Sequence, residues 1–345
     1  MKDTLRMTAL LLALLWTLAW TAAGREPAAP TREPPEQTEQ EAAQPRSLGA
    51  RQGSSAAAPS GTADQSRTLR VSIGGSVREM AMDEYLVGVL RAEMPASFEM
   101  EALKAQAVAA RTYTLHKMAS GPIAAHPEAD ACDDIACCKA YKSAEDAAAE
   151  WGTRAAEYEE KLSRAVRETD GEVILYEGEP ILAVFCSSTN GHTQNAGAVW
   201  QQDLPYLKSV DSPEREDLVP NYYSSVTFTA EEFRSLLLSA RPDAVLTGPC
   251  GSWITDLRRS EAGFVTSLRV GGVEVRGNEL RTILSLRSPS FTVEASGEQL
   301  TFHVTGYGHG VGMSQYGANI LASEGKTCEE ILAHYFTGTR VGPWE

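Results

Sequence analysis

From Thr68 the chain alternates apolar and polar residues: Leu69, Val71 and Ile73, a Gly74-Gly75 turn, then an extended stretch over 77–80. Period-two patterning around two glycines predicts a β-hairpin. Asp83 precedes Glu84-Tyr85-Leu86-Val87-Gly88-Val89-Leu90, whose apolar positions have helical spacing. Asp83 is the N-cap candidate, and Pro95 stops this short helix near Ala92 or Glu93. Ser97 reads as the cap of a stronger helix over 98 to about 117, rich in Ala, Gln, Lys and Leu, with Glu99 and Glu101 in its first turn. A third helix is predicted over 143–167, where Ser143 and Asp146 suggest a capping interaction. Extended stretches return at 173–176 and 181–185 around Glu177-Gly178, and at 265–270 and 273–276 around Gly271-Gly272. Thr327 and Glu330 form a capping box ahead of Ile331-Leu332 and Tyr335-Phe336. Strands and helices are grouped rather than regularly alternating, which favours an α+β fold of helices and hairpins.

The N-terminal stretch follows different rules. Lys2 and Arg6 precede an uncharged, Leu-rich run over 7–24 that includes Trp16 and Trp20. Its eighteen residues fit either a long signal-peptide core, with Thr21-Ala22-Ala23 as a cleavage site, or a short membrane span. The basic residues ahead of it keep the N-terminus inside and send the rest of the chain out, so a single-pass membrane protein, or a secreted one if cleaved, is expected. Residues 25–67 hold six of the 17 prolines and one large apolar residue, Leu48, which predicts a disordered tether. The expected division is therefore 1–24 anchor or signal, 25–67 linker and 68–345 folded domain. A formal charge of −15, a pI near 5.0 and the lack of a basic stripe exclude a generic nucleic-acid binder.

Glu93 sits where a helix runs out, and the negative end of the helix dipole opposes its ionisation. A carboxyl raised in this way suits a general acid, although an isolated helix-end Glu is ordinarily only solvated. Lys104 and Arg111, seven residues apart, project from nearly one helix face; they either line one cleft or are ordinary surface cations.

The run DEYLVGVLRAEMPASFEMEALKAQAVAARTY over 83–113 closely resembles the signature of the stage II sporulation protein D family. The resemblance continues in FCSSTNGHTQNAGAVWQQDLPYLKSVDSP over 185–213 and GYGHGVGMSQYGANILA over 306–322. It implies a peptidoglycan lytic transglycosylase acting during forespore engulfment, with a glycan-binding cleft and a sporulation amidase as partner. Glu93 falls on the family's catalytic glutamate, and Lys104, Arg111, Thr193 and Tyr206 on positions that support activity or hold glycan. One carboxyl suffices for such an enzyme, because an internal sugar hydroxyl replaces the water that a hydrolase must activate with a second carboxylate. Relatives are also described as amidase enhancers, so a noncatalytic peptidoglycan-binding activator is the rival reading.

His126, Cys132, Cys137 and Cys138 share the loop HPEADACDDIACCKAY and suit a closed, structural Cys₃His zinc site. A comparable loop in clostridial members of the resembled family carries two His and two Cys, with Cys137 standing here at one His position. A disulfide is the competing reading for an exported protein, and Cys186, Cys250 and Cys328 leave their own pairing open. His126-Pro127-Glu128 starts like a zinc deaminase signature, but no Pro-Cys-x-x-Cys follows. A zinc hydrolase would need an open metal position, which four protein ligands do not leave. Finally, Gly306, Gly308, Gly310 and Gly312 alternate around His309 ahead of Gln315. This motif lacks a P-loop ending or a βαβ setting. It predicts close backbone packing against the Glu93 helix or direct sugar contact through His309, Gln315 or Tyr316.

Overall fold

The computed structural model describes residues 62–200 and 202–344. The expected export segment, and the expected tether as far as residue 61, lie outside them. Among the described residues no helix is long and apolar enough to cross a membrane.

Residues assigned by composition to the end of the tether prove to be folded. Helix α1 (Ala63–Ser66) is capped by a Thr62–Gln65 box, and Asp170 accepts the backbone N–H groups of Ala63 and Asp64, each at 2.9 Å. The domain therefore starts ahead of residue 68. The reason is electrostatic: the Asp64 carboxylate accepts from Arg111 Nε at 2.9 Å and Nη2 at 2.6 Å, deep in the protein. A composition window cannot register a single buried partner.

The predicted hairpin is present as β1 (Thr68–Ile73) and β2 (Ser76–Ala81). Helix α2 (Met82–Glu93) follows without a side-chain cap, so Asp83 lies in its first turn instead of capping it. Helix α3 (Met100–Ala119) starts at an N-cap Glu99, two residues later than Ser97 suggested. From Ala102 to His116 every α3 residue except Lys104 is buried. Alanines at 102, 105, 107, 109 and 110 let neighbours approach closely on all sides. Strand β3 (Ala131–Cys132) then runs parallel to β1. The predicted third helix is two, α4 (Ala144–Trp151) and α5 (Ala155–Arg167), because Gly152 at φ 56° breaks it; Ser143 caps α4 as expected.

Strand β4 (Glu172–Tyr176) pairs with the short β5 (Glu179–Pro180). The expected partner stretch 181–185 is not a hairpin arm. Ile181, Ala183 and Val184 are all buried, which a two-faced strand does not require, and only β6 (Phe185–Cys186) pairs further on. After the short α6 (Ala196–Val199) comes a second lobe with its own core around Phe233, Phe302, Leu268 and Val270. It contains β7 (Tyr223–Thr229), α7 (Ala230–Ala240), β8 (Ile254–Arg259), β9 (Val265–Val270), β10 (Val273–Arg276), α8 (Gly277–Leu284), β11 (Phe291–Ser296) and β12 (Gln299–Thr305). Its sheets run β10-β9-β8 and β11-β12-β7. The chain returns through β13 (Met313–Ser314), parallel to β6, then α9 (Gln315–Ser323), the box-capped α10 (Cys328–Tyr335) and β14 (Arg340–Pro343) against β4. The mixed α+β architecture matches the expectation.

The Arg111–Asp64 pair, with side chains 1% and 4% exposed, tests the anchoring of α1. Asp64→Ala strands a buried cation and should cost about 3–5 kcal/mol in urea unfolding. Lys104→Ala, which removes a half-exposed pair, should stay within about 1 kcal/mol.

Candidate active site and metal centre

Helix α2 ends at Glu93 because Pro95 forbids another turn and Met94 turns extended at φ −132°. The segment leaving the cysteine loop lies across this helix as a strap. Lys142 N–H donates to Gly88 O at 3.0 Å, Arg91 Nη1 to Lys142 O at 3.4 Å, and Ala140 N–H to Glu93 Oε1 at 3.0 Å. Gly88 is what lets the strap in: a Cβ there would stand 2.1 Å from Cε2 of the Tyr141 ring. The Glu93 side chain is thus held by one oxygen while the residue keeps partial solvent contact.

Burial pushes the Glu93 carboxyl above the ordinary carboxylate range, while the Lys139 charge and the Ala140 N–H pull the other way and lose. Lys139 was not singled out by sequence reasoning, and it is the most unusual side chain of the site. It is fully buried, with its ammonium 3.9 Å from the Tyr113 ring centroid and 3.8 Å from that of Phe185. No hydrogen-bond acceptor reaches it among the described residues, and burial pulls it down to about 8. Its position directly after Cys137-Cys138 was the available signal. Only the fold turns it toward Glu93.

The sulfur and nitrogen atoms of His126, Cys132, Cys137 and Cys138 all lie within 4.8 Å of one another, and all four residues are buried. Cys137 Sγ to Cys138 Sγ is 3.8 Å, and His126 Nε2 lies 3.2 Å and 4.0 Å from these two sulfurs. A tetrahedron with metal–sulfur bonds of about 2.3 Å has edges of about 3.8 Å, so the set has the size a bound metal needs. All four donors are soft or borderline, and the three cysteines are unbridged. The remaining cysteines, Cys186, Cys250 and Cys328, are also buried and unbridged.

Other expected site residues are built into the walls. Arg111 spends its guanidinium on Asp64, Glu172 O and Val166 O inside the protein. Thr193 is fully buried, donating to Lys208 O and accepting from Val210 N–H, and Tyr206 accepts from Leu182 N–H. Lys104 bridges Glu101 at 2.9 Å and Glu168 at 2.6 Å. Gln315 reaches Gln106 of α3 at 3.4 Å, and buried His309 accepts the Val311 N–H at 3.0 Å beside the Trp200 ring. The glycine motif packs on residues 184–189 and Phe264, not on α2. All four glycines have positive φ, and a Cβ at Gly312 would lie 2.1 Å from Val184 O.

A family model described as stage II sporulation protein matches residues 74–176, the span holding Glu93, Lys139 and all four metal-site residues. The stage II sporulation protein D of Bacillus subtilis is 39% identical over 267 residues, covering 77% of this chain and 76% of that protein. This chain belongs to the stage II sporulation protein D family. The family's protein from Bacillus amyloliquefaciens is 37% identical over 266 residues, covering 77% of this chain and 75% of the relative. A Bacillus subtilis protein named amidase enhancer is 29% identical over 301 residues, covering 74% of this chain and 40% of its own length. Membership makes this a sporulation protein.

Two predictions follow from the strap and the carboxyl. Gly88→Ala should displace Tyr141, cost about 1–3 kcal/mol by overpacking and loosen the hold on Glu93, seen as a lower melting temperature. For Glu93 the sign is set by its raised folded value. As pH climbs through the ordinary carboxylate range the unfolded chain ionises first, so a penalty on folding builds up until the folded carboxyl also ionises. Glu93→Gln removes this penalty, so it should melt higher than the unchanged protein at neutral pH and alike at about pH 3. A lower neutral-pH melting point would contradict the burial account.

Proposed function

We propose that the protein is a lytic transglycosylase that cleaves peptide-stripped peptidoglycan strands to 1,6-anhydro-muramic ends during forespore engulfment. The observation that carries the reading is Glu93: a half-buried residue at a helix end, its carboxyl raised by burial and gripped through Oε1. Protonated, it is a competent acid toward the glycosidic oxygen. The resulting carboxylate takes the proton of the muramic C6 hydroxyl, whose oxygen closes on C1 as the bond to the leaving sugar breaks. The carboxyl ends the cycle protonated, no water is consumed, and the intramolecular attack supplies much of the acceleration. Ala140 N–H and the nearby Lys139 charge stabilise the carboxylate between the two proton transfers.

The glycan lies in a cleft beside Glu93. His126, Cys132, Cys137 and Cys138 hold a zinc ion, which as a closed site cross-links the loop that bears the strap. The partners are peptidoglycan strands and the amidase that removes their stem peptides. The chain is held at the outer face of the membrane by its N-terminal apolar segment, or is secreted if that segment is cleaved. The second reading, a noncatalytic activator of that amidase, is favoured by the relative named amidase enhancer.

Incubated with peptide-stripped peptidoglycan, the chain should release fragments with anhydro ends detectable by mass spectrometry, and Glu93→Gln should release none while remaining folded. If both forms release nothing yet stimulate the amidase equally, the activator reading replaces the enzyme. Metal analysis should give one zinc per chain, lost with a lowered melting temperature in Cys132→Ser and Cys138→Ser; a metal-free protein with an unchanged melt would dismiss the zinc.

A further inference from the structure

The second lobe carries a feature that the Glu93 chemistry does not use. Along β7 exposure alternates with strand period, so Tyr223 and Ser225 share the solvent face of the sheet. Register places Thr305 opposite Tyr223, His303 opposite Ser225, and Thr292 of β11 opposite His303. A cavity of about 370 Å³ opens at this end of the sheet and includes Arg259 of β8 in its wall. Hydroxyl-rich strands are ordinary β-formers, so the face alone says little. Two observations set it apart.

The first is Arg259. Its guanidinium is fixed by Phe291 O at 2.7 Å and Gly263 O at 2.9 Å, and among the described residues no carboxylate pairs with it. Other arginines of this acidic chain do have such partners: Arg70, Arg154 and Arg241 each meet one within 3.1 Å. Partial burial lowers the proton affinity of Arg259 and no acidic neighbour restores it, which leaves a rigid, uncompensated cation with unused donors. The second is Tyr223, which is 59% exposed yet steadied edge-on by Tyr222 at 5.0 Å between centroids. An exposed ring face beside hydroxyls and a fixed guanidinium suits a saccharide that bears a carboxylate: the ring takes the C–H face, the hydroxyls take the sugar hydroxyls, the fork takes the acid. His303 is bonded to Ser225 Oγ at 2.9 Å, and its Nε2 lies 3.5 Å from Glu294.

We propose that this face of the β11-β12-β7 sheet, with Arg259, is a second glycan site that reads the free lactyl carboxylate of muramic acid. The ligand class rests on the glycan-cleaving reading above. In an intact strand that carboxylate is locked in the amide to the stem peptide; amidase hydrolysis frees it as an anion. A guanidinium that meets it therefore distinguishes stripped from unstripped strands without touching the scissile bond.

Binding, not cleavage, is the test, so that it stands apart from the fate of Glu93. The full chain carrying Glu93→Gln is co-sedimented with intact and with peptide-stripped sacculi. Adding Arg259→Gln should weaken binding to stripped sacculi about tenfold and leave intact sacculi almost unaffected. Tyr223→Ala, an exposed change that the fold tolerates, should weaken both. Methyl esterification of the lactyl groups should reproduce the Arg259→Gln loss with the arginine in place. Stripped-sacculus binding unchanged in both variants overturns the proposal. So does loss of amidase stimulation with glycan binding intact, which would assign the cavity to a protein partner.

Discussion

Helix α3 is buried from Ala102 to His116 except at Lys104, and a helix with so little solvent face leaves its neighbours little choice. The alanines allow α2, α5, α9, α10 and β4 to close around it. Its few polar atoms then need partners inside, since an unmet buried group costs more than a bond returns. Arg111 finds Asp64, Thr112 accepts the Ile174 N–H, and Gln106 meets Gln315. Each tie fixes a different part of the chain: helix α1, the β4 strand and helix α9. Arg111, Thr112 and Gln106 are therefore fasteners.

The same economy shapes the candidate active site. Glu93 lies at the end of α2, where backbone and burial both disfavour its charge, and unopposed they would leave the carboxyl a reluctant proton donor. The strap supplies the opposition through the Ala140 N–H and the Lys139 charge. Cys137 and Cys138 immediately precede Lys139, so whatever fixes the cysteine cluster also fixes the strap. The cysteine cluster and the carboxyl are one construction, joined through Lys139 and Ala140 and admitted by the missing side chain at Gly88.

The second lobe plays a different part. Its core is separate, built on Phe233, Phe302 and Trp253, and its outer sheet face is polar. The glycine motif leads out of it, with Gly306, Gly308 and Gly312 allowing close packing on the segment that includes β6 and Gly310 on Phe264. In this way an apparently ligand-binding loop serves as the seam by which the lobe's last strand rejoins the first core.

The sequence by itself determined the elements whose signals are local. The β1–β2 hairpin, helices α2 and α3, the Ser143 and Thr327 caps, and the β9–β10 turn follow from side-chain alternation, helical spacing and capping chemistry within a few residues. Strand β7 went unread because its Tyr-Ser-Ser-Val-Thr-Phe-Thr run alternates exposed with only half-buried residues and contrasts little in polarity. The family signature and the spacing of the His126–Cys138 donors were likewise legible, because both are written in consecutive residues. Tertiary structure alone decided which charges face solvent and which face each other. Arg111 became a buried tie, Lys139 came to lie by Glu93 between two rings, and Arg259 was left without a carboxylate among the described residues, because each outcome depends on a partner far away in the chain.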